Sequence, residues 1–319
     1  ADLAQATDEF DLTQPINSSR ENPWANYVRG VVDVLQQQGH KIAGVDLAIG
    51  GNIPQGSGLS SSASLCVAAA LTLRELFQLV DLDSTALAQI AQTAESDFVG
   101  CKCGIMDQLA SARGVADHAS LLDCRSLDIQ AIPLPGNVKI MIVHSGITRG
   151  LVDGEYNSRR EQCEQAAAEL GLLQLRDATL PQLEAQRAQM SDLIYRRARH
   201  VISENERTLK AARCLTQNDL NELGELMAAS HQSMKNDFAI TTPGIDQLTD
   251  ILQNAIGSEG GARMTGGGFG GAVVALMHES QVSPVREAVL AAYRTPDGQP
   301  PLIMLEQATS GATAHVSPL

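Results

Sequence analysis

Basic residues are scarce in this chain. Lys plus Arg number 23 against 37 Asp plus Glu, a formal charge of -14 over 319 residues. Neither a nucleic-acid backbone nor an anionic lipid surface attracts such a chain, which argues against both as partners. A small anionic ligand is not excluded, because backbone amides at a helix start hold phosphate locally. No CxxC pair occurs among Cys66, Cys101, Cys103, Cys124, Cys163 and Cys214. The spacing is not that of a small disulfide scaffold and reads as reduced cytosolic thiols. Cys101 and Cys103 have no nearby His or Cys to complete a zinc site. His40, His118, His144, His200, His231, His278 and His315 show no metal spacing and read as structural or surface residues. Asp2, Asp8, Glu9, Asp11 and Arg20 break up the first twenty residues, which predicts no signal peptide there. Leu47–Leu73 is free of charge, but Gly50, Gly51, Pro54, Gly56, Gly58 and a serine run interrupt it, so it is not a spanning helix. There is no internal repeat and no low-complexity linker.

What is present can build a sizeable core: 44% of residues are hydrophobic and 19% charged. At roughly 150 residues per domain the length suits two domains. Trp24, Tyr27, Val28, Val31, Val32 and Leu35 recur at helical spacing after Pro23, which predicts a helix over 23–38 that Gly39 stops. Val45, Leu47 and Ile49 alternate and predict a strand. Further helices are expected over 60–77, from a cap at Asp83 or Ser84 to Phe98, and over 106–112, 155–170, 193–215, 219–234, 243–256 and 284–293. Strands are expected over 120–122, 139–144, 262–265, 272–277 and 302–306. Strands at both ends with helices between suit α+β layers, a two-layer arrangement, better than a doubly wound parallel sheet. A boundary is expected near 125–150, giving domains 1–145 and 146–319.

Three segments ask for chemistry. Pro54–Ala63 lies between the expected strand and a long apolar helix. Gly56 and Gly58 let amides approach a ligand, and Ser60, Ser61 and Ser62 add hydroxyls, one of which could bind Mg²⁺. It has no GKS or GKT, so it is not a Walker loop, and Ser61 stands where GxGxxG needs Gly. It either cradles phosphate or is a Ser/Gly loop capping a core helix. In Gly260–Gly271, five of the last six residues are Gly. Either a tight hairpin forms there or backbone passes close to something. In Ala94–Gln108, Glu95 and Asp107 are carboxylates in apolar surroundings. They are a metal ligand and a general base, or a helix-surface Glu and an N-capping Asp.

Together and in this order, the segments resemble the GHMP small-molecule kinase superfamily: Pro54–Ala63 its second motif, Met264–Gly271 its third. Cys103-Gly104-Ile105-Met106-Asp107-Gln108, Trp24–Gly30 and Glu155–Cys163 narrow the resemblance to the galactokinase family, of enterobacterial type, over nearly the whole chain. The resemblance implies a GHMP kinase fold of two domains with the active site between them. It implies phosphorylation of the anomeric hydroxyl of α-D-galactose by ATP; a cytoplasmic location is expected from the cysteine usage, and a monomer is the default expectation. Gly56, Ser57, Gly58, Leu59, Ser60, Ser61 and Ser62 would wrap the nucleotide phosphates. Ser62 and Glu95 would hold Mg²⁺, and Asp107 would face the sugar O1 as catalytic base. Tyr156 and the Gly104 backbone would contact the sugar, Trp24 and Tyr27 would sit near adenine, and Gly267 and Gly268 would close the phosphate region. Phosphoryl transfer needs charge neutralisation and positioning more than covalent help, which agrees with these residue types.

The sequence departs from that family in one respect. No stretch of the type GRxNLIGEHTDY, the first family motif, occurs, and Ala1–Ile16 resembles the part of a family member that comes after that motif. About 60 to 70 residues are expected to be absent, against typical domain size. By analogy with trans-acting arginines, the Arg carried there is worth roughly 10³ to 10⁵ in rate, about 4 to 7 kcal/mol. The 319 residues as written are therefore expected to turn over poorly or not at all. The alternatives are a non-catalytic sensor of galactose or ATP on the same scaffold, and another GHMP sugar kinase such as one acting on N-acetylgalactosamine. Ala312–Leu319 reads as a loose tail.

Overall fold

The computed structural model describes residues 6–54, 58–147 and 153–315. The chain divides into two compact units, one of residues 1–55, 60–131 and 308–319, the other of 56–59 and 132–307.

The first unit is built on α1 (Ala25–Gln37), α2 (Ser61–Leu76), α3 (Ser84–Thr93) and α4 (Met106–Arg113), with a two-stranded sheet of β1 (His118–Leu122) and β2 (Ile129–Pro133). Val28, Val31, Val32 and Leu35 of α1 recur on one face and bury against Cys66, Val67 and Ala70 of α2 and Leu87, Ile90 and Ala91 of α3. Asp83 caps α3 as expected, its Oδ1 accepting from Ala86 N at 2.8 Å. The helix then widens into a π turn over Ala94–Val99 and stops at Gly100, φ 92°. Gly30 permits this: a Cβ there would stand 3.0 Å from Phe98 Cβ, so α1 lies directly on the π turn.

The alternation at Val45, Leu47 and Ile49 does not make a strand. β1 and β2 pair with each other, and an extended segment without a ladder partner has nothing to hold it. Val45 and Leu47 stay 39% and 36% exposed, while Ile49 rests on the helical core.

The second unit carries a four-stranded antiparallel sheet in the order β4-β5-β3-β6, from β3 (Val138–His144), β4 (Gly260–Met264), β5 (Ala272–His278) and β6 (Leu302–Glu306). Met141 stands opposite both Ala275 and Leu305. α5 (Asp153–Glu169), α6 (Leu180–Ala185), α7 (Asp192–Gln217), α8 (Leu220–Ser233), α9 (Pro243–Ile256) and α10 (Val282–Ala292) complete it. Ile245, Leu248 and Leu252 of α9 and Val285 and Val289 of α10 bury against Met141, Val143, Val273 and Ala275. A second cluster joins α5, α6 and α7 around Ala166, Leu183, Ile194 and Ala198. An antiparallel sheet backed by helices is the expected α+β architecture.

The end of the described chain is not wholly loose. Gly311 N donates to Gly114 O and Ala312 N to Ser111 O, both at 2.8 Å, and Asp117 N donates to Ala308 O at 2.9 Å. These bonds hold 308–312 across the end of α4. Residues 313–315 are exposed.

Candidate active site

The first unit brings Ser62, Glu95 and Asp107 together. Glu95 sits in the π turn and is 4% exposed, so it is no surface carboxylate. Burial pushes its carboxyl upward. Hydrogen bonds from the Ser62 side chain and Gln108 oppose this, and the nearby Asp107 charge adds to it. Gln108 Nε2 donates to Glu95 Oε1 at 2.6 Å. Gln108 is itself 1% exposed, and its Oε1 has no partner among the described residues. Asp107 lies in the first turn of α4, half-buried; the capping position belongs to Ile105, so Asp107 is no N-cap. The exposed Gly104 has open space where a Cβ would project.

The Gly/Ser loop leads into α2. Gly56 and Ser57 lie outside the described residues. Gly58, at φ 75°, Leu59 and Ser60 are half-buried. Ser60 adopts the left-handed region, φ 58° and ψ 37°, which a non-glycine residue occupies at a cost of order 1–3 kcal/mol. Among the described residues no side-chain hydrogen bond caps α2, so its first amides, from Ser61 onward, carry the positive end of the helix dipole. Trp24 and Tyr27 are half-buried at the start of α1, and Trp24 Nε1 has no partner among the described residues.

The second unit frames the other expected residues. The segment 265–271 is the turn between antiparallel β4 and β5, and it is also a close backbone approach. A Cβ on Gly268 would stand 2.6 Å from Ile240 O, and one on Gly270 2.6 Å from Ile147 O. Phe269 N donates to Ile240 O at 2.6 Å and Gly271 N to Ile147 O at 2.9 Å. Buried Ser145 fastens the same turn, its Oγ donating to Gly271 O at 2.7 Å. Gly267 is half-buried and Gly268 fully so, packed on Ile240. Tyr156, 38% exposed, projects from α5. One turn on, Arg159 Nε donates to Phe238 O at 2.8 Å and Nη2 to Ala239 O at 3.0 Å, and the guanidinium lies 5.5 Å from the Phe269 ring centroid. Arg159 thus ties α5 to the glycine turn.

Two residues with structural weight at these places are not singled out by the sequence pattern. Gln108 and Arg159 both stand inside segments whose pattern is distinctive, but their partners lie 13 and 79 residues away. The one available signal is an amide beside a carboxylate in a short, otherwise apolar helix. Among the described residues no three His, Cys, Asp or Glu side chains converge into a metal cage, and no helix is long and apolar enough to cross a membrane.

The GHMP kinases N terminal domain family matches residues 26–115, and the GHMP kinases C terminal family residues 211–295. The galactokinase of Lactococcus lactis, solved in complex with galactose, is 32% identical with a TM-score of 0.86, over 95% of this chain and 79% of its own. The L. major mevalonate kinase, solved with R-mevalonate, is 17% identical with a TM-score of 0.58, over 92% of this chain and 78% of its own. A phosphomevalonate kinase of Streptococcus pneumoniae, solved with phosphomevalonate and AMPPNP, is 16% identical with a TM-score of 0.57, over 84% and 78%. At those identities the last two share the fold alone.

Proposed function

The chain belongs to the GHMP kinase family, and from that premise we propose that it is a galactokinase, transferring the γ-phosphoryl group of ATP to the anomeric hydroxyl of α-D-galactose. The observation that carries this reading is the 32% identity, spread over 95% of the chain, to a galactokinase that holds galactose.

Asp107 is the base. Its carboxylate aligns the anomeric hydroxyl and accepts its proton as the phosphoryl group arrives. Tyr156 and the Gly104 backbone contact the sugar. Residues 56–62 wrap the phosphates, with the uncapped start of α2 supplying amides and dipole. Trp24 and Tyr27 flank adenine, and Gly267 and Gly268 belong to the turn that closes over the phosphates. The donors at Ser62 and Glu95 fit Mg²⁺: one hydroxyl and one carboxylate, both hard oxygens, beside a ligand that brings its own phosphate oxygens. When bound there, Mg²⁺ neutralises charge on the phosphates. Burial raises the cost of ionising Glu95, a cost that a cation at the carboxylate offsets.

The test is galactose-dependent ADP release by the full reading frame that encodes these residues, with N-acetylgalactosamine and mevalonate as parallel substrates. Turnover with galactose in clear excess over both is expected. Preference for N-acetylgalactosamine would move the assignment to another sugar kinase. Galactose binding without ADP release would make the protein a sensor.

A further inference from the structure

Cys101, Lys102 and Cys103 join the π turn to α4, and the reaction proposed above uses neither thiol. Gly100, at φ 92°, precedes them and Gly104 succeeds them, both with open space where a Cβ would project. Cys103 N donates to Cys101 O at 2.6 Å, a three-residue turn that brings its two ends together. The thiols are half-buried and hydrogen-bonded to each other. Cys103 Sγ also accepts from Gln108 Nε2 at 3.7 Å, and this same nitrogen donates to Glu95 Oε1. Gln92 Nε2 donates to Cys103 O at 3.2 Å. One amide group therefore touches both the thiol pair and the buried carboxylate.

We propose that Cys101 and Cys103 form an oxidation site, a dithiol that peroxide converts to a disulfide, and that closing it withdraws the Cys103 sulfur from Gln108 and loosens the hold on Glu95. The second half rests on the kinase reading; the first does not. The chemistry balances in two steps. The Cys103 thiolate attacks one peroxide oxygen: the S–O bond forms, the O–O bond breaks, and the departing hydroxide takes up a proton to become water. The Cys101 sulfur, giving up its proton, then attacks the Cys103 sulfur. The S–S bond forms, the S–O bond breaks, and the hydroxyl leaves with a proton as a second water. Two electrons pass from the two sulfurs to peroxide.

The surroundings favour Cys103 as the attacking thiolate. The Cys101 thiol bonded to it, with help from Gln108 and Ser96, brings it down to about 7 against the pull of burial. Burial pushes Cys163 and Cys214 up to about 11, and drives Cys66 higher still.

The experiment treats the full-length protein with hydrogen peroxide at neutral pH and maps its tryptic peptides without reduction. Lys102 separates the two cysteines, so cleavage leaves peptides 75–102 and 103–113 joined through sulfur. That joined pair is expected after peroxide, absent after dithiothreitol, and absent in Cys101→Ser. The Mg²⁺ concentration for half-maximal nucleotide binding, read by calorimetry, is expected to rise about tenfold on oxidation and to be unmoved in treated Cys101→Ser. Failure of the joined pair to form, with Cys124 oxidised first, overturns the site. A pair that forms while Mg²⁺ dependence stays fixed overturns its coupling to Glu95. Neither outcome bears on which sugar is phosphorylated.

Discussion

The two carboxylates to which different work is assigned here, one in the π turn and one in α4, also differ in their surroundings. Glu95 is enclosed, and Ser62 and Gln108 both bond to it. Asp107 is half-buried in the first turn of α4. Glu95→Gln removes the charge that a cation would balance, so the Mg²⁺ needed for half-maximal activity should rise at least about tenfold. An unaltered titration removes Glu95 from the metal. Asp107→Asn keeps the shape and loses the carboxylate to which the base role is assigned. Turnover should fall by about 10² to 10⁴ with little change in nucleotide affinity, and wild-type turnover would take Asp107 out of the chemistry. Both residues are legible in the sequence as carboxylates among apolar neighbours, but sequence alone leaves their alternatives open. Burial of Glu95 sets aside a helix-surface Glu, and the capping position of Ile105 sets aside an N-capping Asp107. Gln108 stays illegible because its importance is a distance to Glu95.

At the scale of elements, periodicity finds what local residues dictate and misses what partners dictate. The long helices α1, α7 and α9 announce themselves through their apolar stripes. The strand at 45–49 does not form, because alternation says which face would be buried but not whether a neighbour exists. β2, with one buried residue and a terminal Pro133, carries too little pattern to be read. The π turn at Ala94–Val99 lies within a segment that reads as an ordinary helix end, and that at Met234–Phe238 begins where the expected helix 219–234 stops. The glycine-rich β4–β5 connection is readable as a place needing glycine, though not as one wedged against Ile147 and Ile240. A less obvious glycine bears on the same unit. A Cβ on Gly224 of α8 would stand 2.0 Å from Gly260 O in β4. Gly224→Ala must force the helix off the sheet, costing about 1–3 kcal/mol. A lower thermal midpoint checks this; an unchanged one would mean that α8 shifts freely over β4.

For the whole molecule, the informative fact is where the chain goes last. After β6 it leaves the second unit, and 308–312 lie against α4 through bonds to Ser111, Gly114 and Asp117. Truncation after Gln307 strips Ser111 O and Gly114 O of these partners. Amide hydrogen exchange should then quicken across α4 and the turn after it, while β3 and β5 keep their protection. Equal protection in both forms would show that the final segment only rests on the surface. The α+β class is visible in the sequence from its mixture of strand-like and helix-like segments, although the strand read at 45–49 does not form. The return of the tail is not, because 308–315 has no periodicity and is held by backbone groups that any residues could offer.

That return also sets an order of events during synthesis. Residues 132–307 make up nearly all of one unit and are complete before residue 308 leaves the ribosome. The unit that holds 60–131 cannot gain the bonds to Ala308, Gly311 and Ala312 until after 132–307 have been translated. Domains usually mature in the order in which they emerge. Here residues 60–131 emerge before 132–307 yet gain these bonds after them, and the carboxylates assigned to chemistry lie in the part that waits.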